Sequence, residues 1–104
     1  MYCGIYEFEV DPEMESEFES SWHALTKVIH EKYGSLGARL HRIEAGKYFA
    51  YAQWPSKERW DSAFPNIDLS PYPENETYQK ARLSTKVVYV GKATNDFLNG
   101  TEII

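Results

Sequence analysis

An α+β fold with the element order β-α-β-β-α-β is what this sequence predicts. Three observations carry it. One long amphipathic helix pattern follows an alternating first strand. Two strand-like runs, Gly34-Ser-Leu-Gly-Ala-Arg-Leu-His-Arg-Ile43 and Gly46-Lys-Tyr-Phe-Ala-Tyr-Ala-Gln-Trp54, sit back to back around a tight turn. A capped short helix and a last strand come after them. That order is the split βαβ plan, ferredoxin-like.

Residues 2–10 alternate, with Tyr2, Gly4, Tyr6, Phe8 and Val10 on one side and Cys3, Ile5, Glu7 and Glu9 on the other. Asp11 caps a helix that opens on Pro12, where a missing N–H is harmless. Glu13, Glu15 and Glu17 suit the positive end of its dipole. Met14, Phe18, Trp22, Leu25, Ile29 and Tyr33 recur at helical spacing as one apolar stripe, and Gly34 is the C-cap. With no second helix of similar length to receive it, the stripe must lie on a sheet.

Strands over 36–44 and 47–54 form a hairpin, and Pro55 ends the second. Ser56 caps a helix over 56–64, with Trp60, Ala63 and Phe64 on its inward face. Residues 65–75 contain three prolines among Ile67, Leu69 and Tyr72. Long irregular segments in compact domains often serve as lids, and this one is the candidate. A further helix is expected over 76–83 and the last strand over 85–93. The tail ends in Ile103-Ile104, which either docks on a partner chain or frays.

Length and composition bound the rest. A chain of 104 residues is one domain. Aromatic content of 15% exceeds what a lone small sheet can bury, so some rings should line an interface or pocket. Net charge is −5 without a basic run, which argues against nucleic acid and anionic membranes. No apolar run reaches membrane-span length, and the opening residues lack the basic region of a signal peptide. Cys3 is the single cysteine, which suits a reducing cytoplasm. The helical histidines His23 and His30 are seven apart and off the apolar stripe, so no metal site is expected, and no cofactor.

Several segments together resemble the antibiotic biosynthesis monooxygenase family of the dimeric α+β barrel superfamily. They are Tyr6-Glu-Phe-Glu-Val10, Phe18-Glu-Ser-Ser-Trp22, Gly34-Ser-Leu-Gly37, Arg39-Leu-His41, and Tyr51-Ala-Gln-Trp-Pro-Ser56 with Trp60. The likeness covers about residues 2–64; the last strand matches only in type. It implies a four-stranded antiparallel sheet with helices on one face, and a homodimer joined through its sheet faces into a barrel. The residues agree: Tyr48, Ala50, Ala52 and Trp54 lie on one side of their strand, and Phe49 and Tyr51 on the other, so neither face is purely polar.

The resemblance also implies a cofactor-independent monooxygenase acting on a small aromatic, phenolic or quinol-like compound. The pocket would lie between sheet and helices, under the 65–75 loop. Trp60 is the closest match to the family's pocket tryptophan; His41 and Tyr72 complete the candidate catalytic set, and Asn66 is a further loop candidate. Arg39, Tyr51, Gln53, Trp54 and Phe64 are the candidate substrate-binding residues. For each a plain alternative stands. Trp60 and Trp54 can simply pack in a core, and His41 can be a cross-strand or interface residue. The alternative function is a non-catalytic homodimeric module that binds a ligand or partner. Haem degradation fits less well: relatives that do it carry an Asn on the first strand and a His after the tryptophan. Here stand Glu7, Glu9 and Trp60-Asp-Ser-Ala-Phe64 with no histidine following.

Overall fold

In the computed structural model, which describes residues 1–98, the sheet is built from β1 (Tyr2–Val10), β2 (Gly37–Glu44), β3 (Lys47–Trp54) and β4 (Arg82–Lys92). Their order is β2-β3-β1-β4 and every neighbouring pair is antiparallel. This is the expected ferredoxin-like sheet. Helices α1 (Glu15–Tyr33), α2 (Lys57–Ala63) and α3 (Glu74–Ala81) cover one face.

Three boundaries differ from the sequence reading, each for a local reason. Pro12–Met14 form a 3-10 turn before α1, with Asp11 accepting from the Glu13 N–H. The second helix ends at Ala63, one residue early, and Pro65 sits inside a 3-10 turn over Phe64–Asn66. Proline fits there because the N–H it lacks belongs to the first turn. Pro73, already in helical conformation, starts the next helix two residues early, at Glu74, and its early end lets β4 begin at Arg82. The Ile103-Ile104 end lies outside the described residues.

The helix-facing rows are the alternating sets expected from sequence. Tyr2, Gly4, Tyr6, Phe8 and Val10 of β1 and Tyr48, Ala50, Ala52 and Trp54 of β3 are all buried. Phe18 of α1, fully buried, meets Phe8, Tyr48 and Tyr78 at ring separations of 5.1–5.8 Å. Rings at such distances and tilts gain more than area burial alone.

One carboxylate ties the hairpin to the helix layer. Glu15 accepts from the Gly46 N–H at 2.8 Å and from Arg42 Nε at 3.3 Å. The Gly46 bond, then Arg42, hold its carboxyl below the usual glutamate range. Gly46 has φ +76, and a Cβ there would stand 2.8 Å from the Val10 carbonyl oxygen. Only glycine turns the chain at that point.

The Tyr48 ring is buried while its hydroxyl reaches the helix surface and donates to Glu19 Oε2 at 2.6 Å. Burial first, then the Glu19 carboxylate, push its pKa above the ordinary tyrosine value. An unfolded tyrosine ionises near pH 10, whereas the folded one resists. Its contribution is therefore fully present below about pH 10 and is lost as pH rises above it. Denaturant midpoints measured from pH 8 to 11 should fall above about pH 10. Tyr48→Phe should cost about 1 kcal/mol at neutral pH and flatten that alkaline loss.

Candidate active site

Across the middle of the helix-facing sheet surface the side chains are small. Gly4 pairs with Ala52 and Ala52 with Ala38; in the next row Tyr6 pairs with Ala50. Large residues flank them: Tyr2 opposite Trp54 at one end and Phe8 opposite Tyr48 at the other. The helices rest on the large residues and leave a cavity of about 230 Å³ above the small ones. Trp22 and Ile29 of α1, Phe64, Ile67 and Tyr78 complete its wall.

The polar side chains lining this cavity are uncharged, the hydroxyls of Tyr6, Thr26, Ser35, Tyr78 and Thr85 among them. Trp60 Nε1 donates to the Tyr6 hydroxyl at 3.0 Å. Tyr6 lies on Phe64, which in turn stacks on Trp60 at 5.0 Å, so the phenol is clamped. Trp54 is buried, and its Nε1 has no hydrogen-bond partner of normal geometry. It nevertheless lies close enough to Tyr6 for its N–H to favour the Tyr6 anion. Burial outweighs both indoles and raises the Tyr6 pKa, so this hydroxyl stays protonated at neutral pH. No carboxylate, histidine, lysine or arginine lines the cavity among the described residues.

Tyr6 reaches this place because Gly4 is next to it on the same face. A Cβ at Gly4 would stand 2.6 Å from the Tyr6 hydroxyl oxygen and 2.8 Å from Cζ. The phenol lies back over the glycine instead of standing up from the sheet.

The residues singled out in the sequence divide into two groups on opposite sides of the sheet. Trp54 and Phe64 line the cavity, and Trp60 stands behind Tyr6. Arg39, His41, Tyr51 and Gln53 line a broad groove of about 750 Å³ on the other face, together with residues of 93–98. There His41 stacks on its cross-strand partner Phe49 at 4.5 Å. Gln53 Nε2 donates to the Tyr51 hydroxyl at 3.3 Å, and Cys3 Sγ lies 3.2 Å from it. The Cys3 contact, then burial, raise the Tyr51 pKa. None of these four residues lines the cavity, so the structure does not assemble the eight candidates into one site.

Tyr72 does not line the cavity either. Its ring receives the Lys32 ammonium at 5.9 Å, at the end of α1. Asn66 Nδ2 donates to the Ser62 carbonyl. Of the loop's three apolar side chains, Ile67 reaches the cavity; Leu69 and Tyr72 are half-buried elsewhere. His30 Nδ1 bonds the Ser35 carbonyl. Among the described residues no three metal-binding side chains gather, and no helix is long and apolar enough to cross a membrane.

With this geometry in hand, the comparisons with known proteins decide the family. The model of the antibiotic biosynthesis monooxygenase family matches residues 1–64. The chain belongs to that family. SnoaB of Streptomyces nogalater, a cofactor-independent oxygenase, superposes with a TM-score of 0.68 at 16% identity, over 94% of this chain and 97% of that one. A candidate antibiotic biosynthesis monooxygenase of Bordetella bronchiseptica gives 0.70 at 19% identity, over 89% and 96%. One from Caulobacter crescentus gives 0.69 at 15%, over 89% of each chain. No curated protein matches. At these identities the structures establish the shared fold.

Tyr6 and Gly4 are the site residues that sequence reasoning passed over. The available signal was a glycine two residues before a tyrosine on one strand face, opposite a run of alanines. Gly4→Ala should displace the phenol, break the Trp60 bond and cost about 1–3 kcal/mol, as overpacked cores do. Denaturant unfolding, with tryptophan emission as the probe of Trp60, checks both effects.

Proposed function

We propose that this protein is a cofactor-independent monooxygenase of a small aromatic, phenolic or quinol-like compound. The observation that carries the reading is the apolar cavity lined by Tyr6, whose hydroxyl accepts from Trp60, the family's tryptophan position. Such a cavity suits the chemistry. An electron-rich carbon acid loses its proton and its anion reduces O2. The new C–O bond gives a hydroperoxide, which loses water to leave a carbonyl: one oxygen atom enters the product and the other leaves as water. The protein's part is to hold the ring, exclude bulk water and place donors at the developing oxyanion.

One observation supports the other reading, a ligand-binding module without catalysis: no base lines the cavity. A substrate must therefore be acidic enough to ionise by loss of a proton to water. Oxygen uptake with a panel of phenols, quinols and anthrones separates the two readings. Turnover above the uncatalysed rate for an acidic member supports the oxygenase; binding without uptake across the panel supports the module. Trp60→Phe keeps the ring stack and removes the N–H that polarises Tyr6. It should leave melting nearly unchanged and lower turnover at least about tenfold, the equivalent of roughly 1.4 kcal/mol.

A homodimer through the outward sheet faces belongs to the same proposal. Leu36, Ile43 and Tyr89 are 50–74% exposed on or beside that face. Ile5, Phe49 and Tyr51 add apolar area between them. Contiguous apolar surface of this kind is unusual on a monomer. A cytoplasmic location is consistent with the free thiol of Cys3. Sedimentation at micromolar concentration should give twice the chain mass of 12.1 kDa. Ile43→Glu and Tyr89→Glu together should give the monomer.

A further inference from the structure

Trp60, Phe64 and Ile67 all belong to residues 57–73, which comprise α2, the 3-10 turn and the loop after it. Among the described residues this stretch makes no backbone hydrogen bond to the sheet or to α1. Its backbone bonds close on near neighbours, as the Trp60 N–H does on the Ser56 carbonyl and the Ile67 N–H on that of Phe64. Side chains therefore decide where the stretch lies. Ala63 is buried with Tyr2 and Trp54, and Trp60, Phe64 and Ile67 pack on that cluster. Apolar burial of this kind is non-directional. It presses the stretch onto the sheet without fixing its slide along it.

Direction comes from hydrogen bonds, and only two side chains outside the stretch supply them from the sheet or α1 among the described residues. One is Tyr6, which accepts from Trp60 Nε1 at 3.0 Å. The other is Tyr33, in the last turn of α1. Its hydroxyl accepts from the Asp68 N–H at 3.0 Å and donates to the Asp68 carbonyl oxygen at 3.4 Å. The Tyr33 ring packs on the same cluster as Trp60, and α1 is anchored by buried Phe18, Ser21 and Leu25, so the hydroxyl has a firm base. Asp68 follows Ile67 directly and the 3-10 turn of Phe64–Asn66 closely. Pro65 stiffens that turn. Phe64, at its start, stacks on Trp60 at 5.0 Å and on Tyr6 at 5.7 Å. A displacement at Asp68 therefore reaches the Trp60–Tyr6 bond through few free torsions, and a hydrogen bond weakens steeply with angle.

We infer that Tyr33 is a positioning residue: its hydroxyl, through Asp68, holds residues 57–73 where Trp60 meets Tyr6. Its effect on turnover rests on the proposed oxygenase, whereas the geometry it sets at Trp60 holds for either functional reading. Tyr33 itself lies outside the cavity wall. It acts only through the segment that it ties, and the Lys32 ammonium over Tyr72 at 5.9 Å steadies the same loop further on.

Tyr33→Phe tests it, since the ring stays and only the hydroxyl goes. Hydrogen exchange of the indole N–H groups by NMR is the first readout, with the Trp60 signal identified by its loss in Trp60→Phe. The Trp60 indole hydrogen should exchange at least about tenfold faster in Tyr33→Phe than in the wild type. The backbone amides of β3, a strand paired on both sides, should keep their rates within about twofold. Turnover is the second readout, with whichever phenol, quinol or anthrone the protein oxidises. Tyr33→Phe should lower it at least about threefold in the wild-type background and leave it nearly unchanged in Trp60→Phe. A residue that acts through Trp60 has nothing left to act on there. An unchanged Trp60 indole rate overturns the inference. So does equal acceleration of the β3 amides, which makes the hydroxyl a general stabiliser, or an equal loss of turnover in both backgrounds. If no compound turns over, the oxygenase falls, and the indole rates still decide the role of Tyr33.

Discussion

Strand register is the constraint on which the site depends. Because β1, β2 and β3 pair so that Gly4, Ala52 and Ala38 fall in one row, the sheet is low in its centre and high at its ends. Helices packing on Tyr2, Trp54, Phe8 and Tyr48 cannot descend into that centre. A closed void of this volume would cost on the order of 5 kcal/mol at the rate measured for cavities left by core truncation, comparable with the whole stability of a small domain. The cavity is partly open to solvent, which keeps the cost bearable. A one-residue slip of β3 would exchange Ala50, Ala52 and Trp54 for Phe49, Tyr51 and Gln53 and erase it.

The same parity separates two kinds of residue. Odd-numbered positions of β2 and β3, among them Arg39, His41, Tyr51 and Gln53, point away from the helices; even-numbered ones point toward them. Strand alternation makes this division legible in sequence, since Tyr51 and Trp54 differ in parity. What alternation leaves open is which side the helices cover. The apolar stripe of α1 could in principle have rested on either face, and both carry aromatic residues. The stripe itself, the caps at Asp11, Ser56 and Gly34, and the Gly46 turn were legible because each depends on residues near in sequence.

Tyr6 and Tyr72 show where local reading ends. Tyr6 looks like any strand tyrosine; its meaning comes from Trp60, 54 positions away, and from the glycine that gives its ring room. Tyr72 lies in a loop tied to the end of α1 through Lys32 and through the Tyr33 hydroxyl, which accepts from the Asp68 N–H at 3.0 Å. Those ties draw the loop along the helix, so that its first apolar residue, Ile67, is the one that meets the cavity. Proline spacing marks the segment as irregular but does not set its direction.

The donors of the cavity and the bases of the chain occupy different places. Indole N–H and phenol O–H groups gather at Tyr6, in a setting that keeps the phenol neutral. Carboxylates stand on the outer surface of α1, where Glu15 holds the hairpin and Glu19 holds Tyr48. In the proposed oxygenase such donors would stabilise negative charge on a bound oxygen without competing for its proton. For Tyr6 itself the two indoles offset only part of the burial penalty on the anion, and burial still prevails. The apolar wall in turn makes each of those hydrogen bonds stronger than it would be in water.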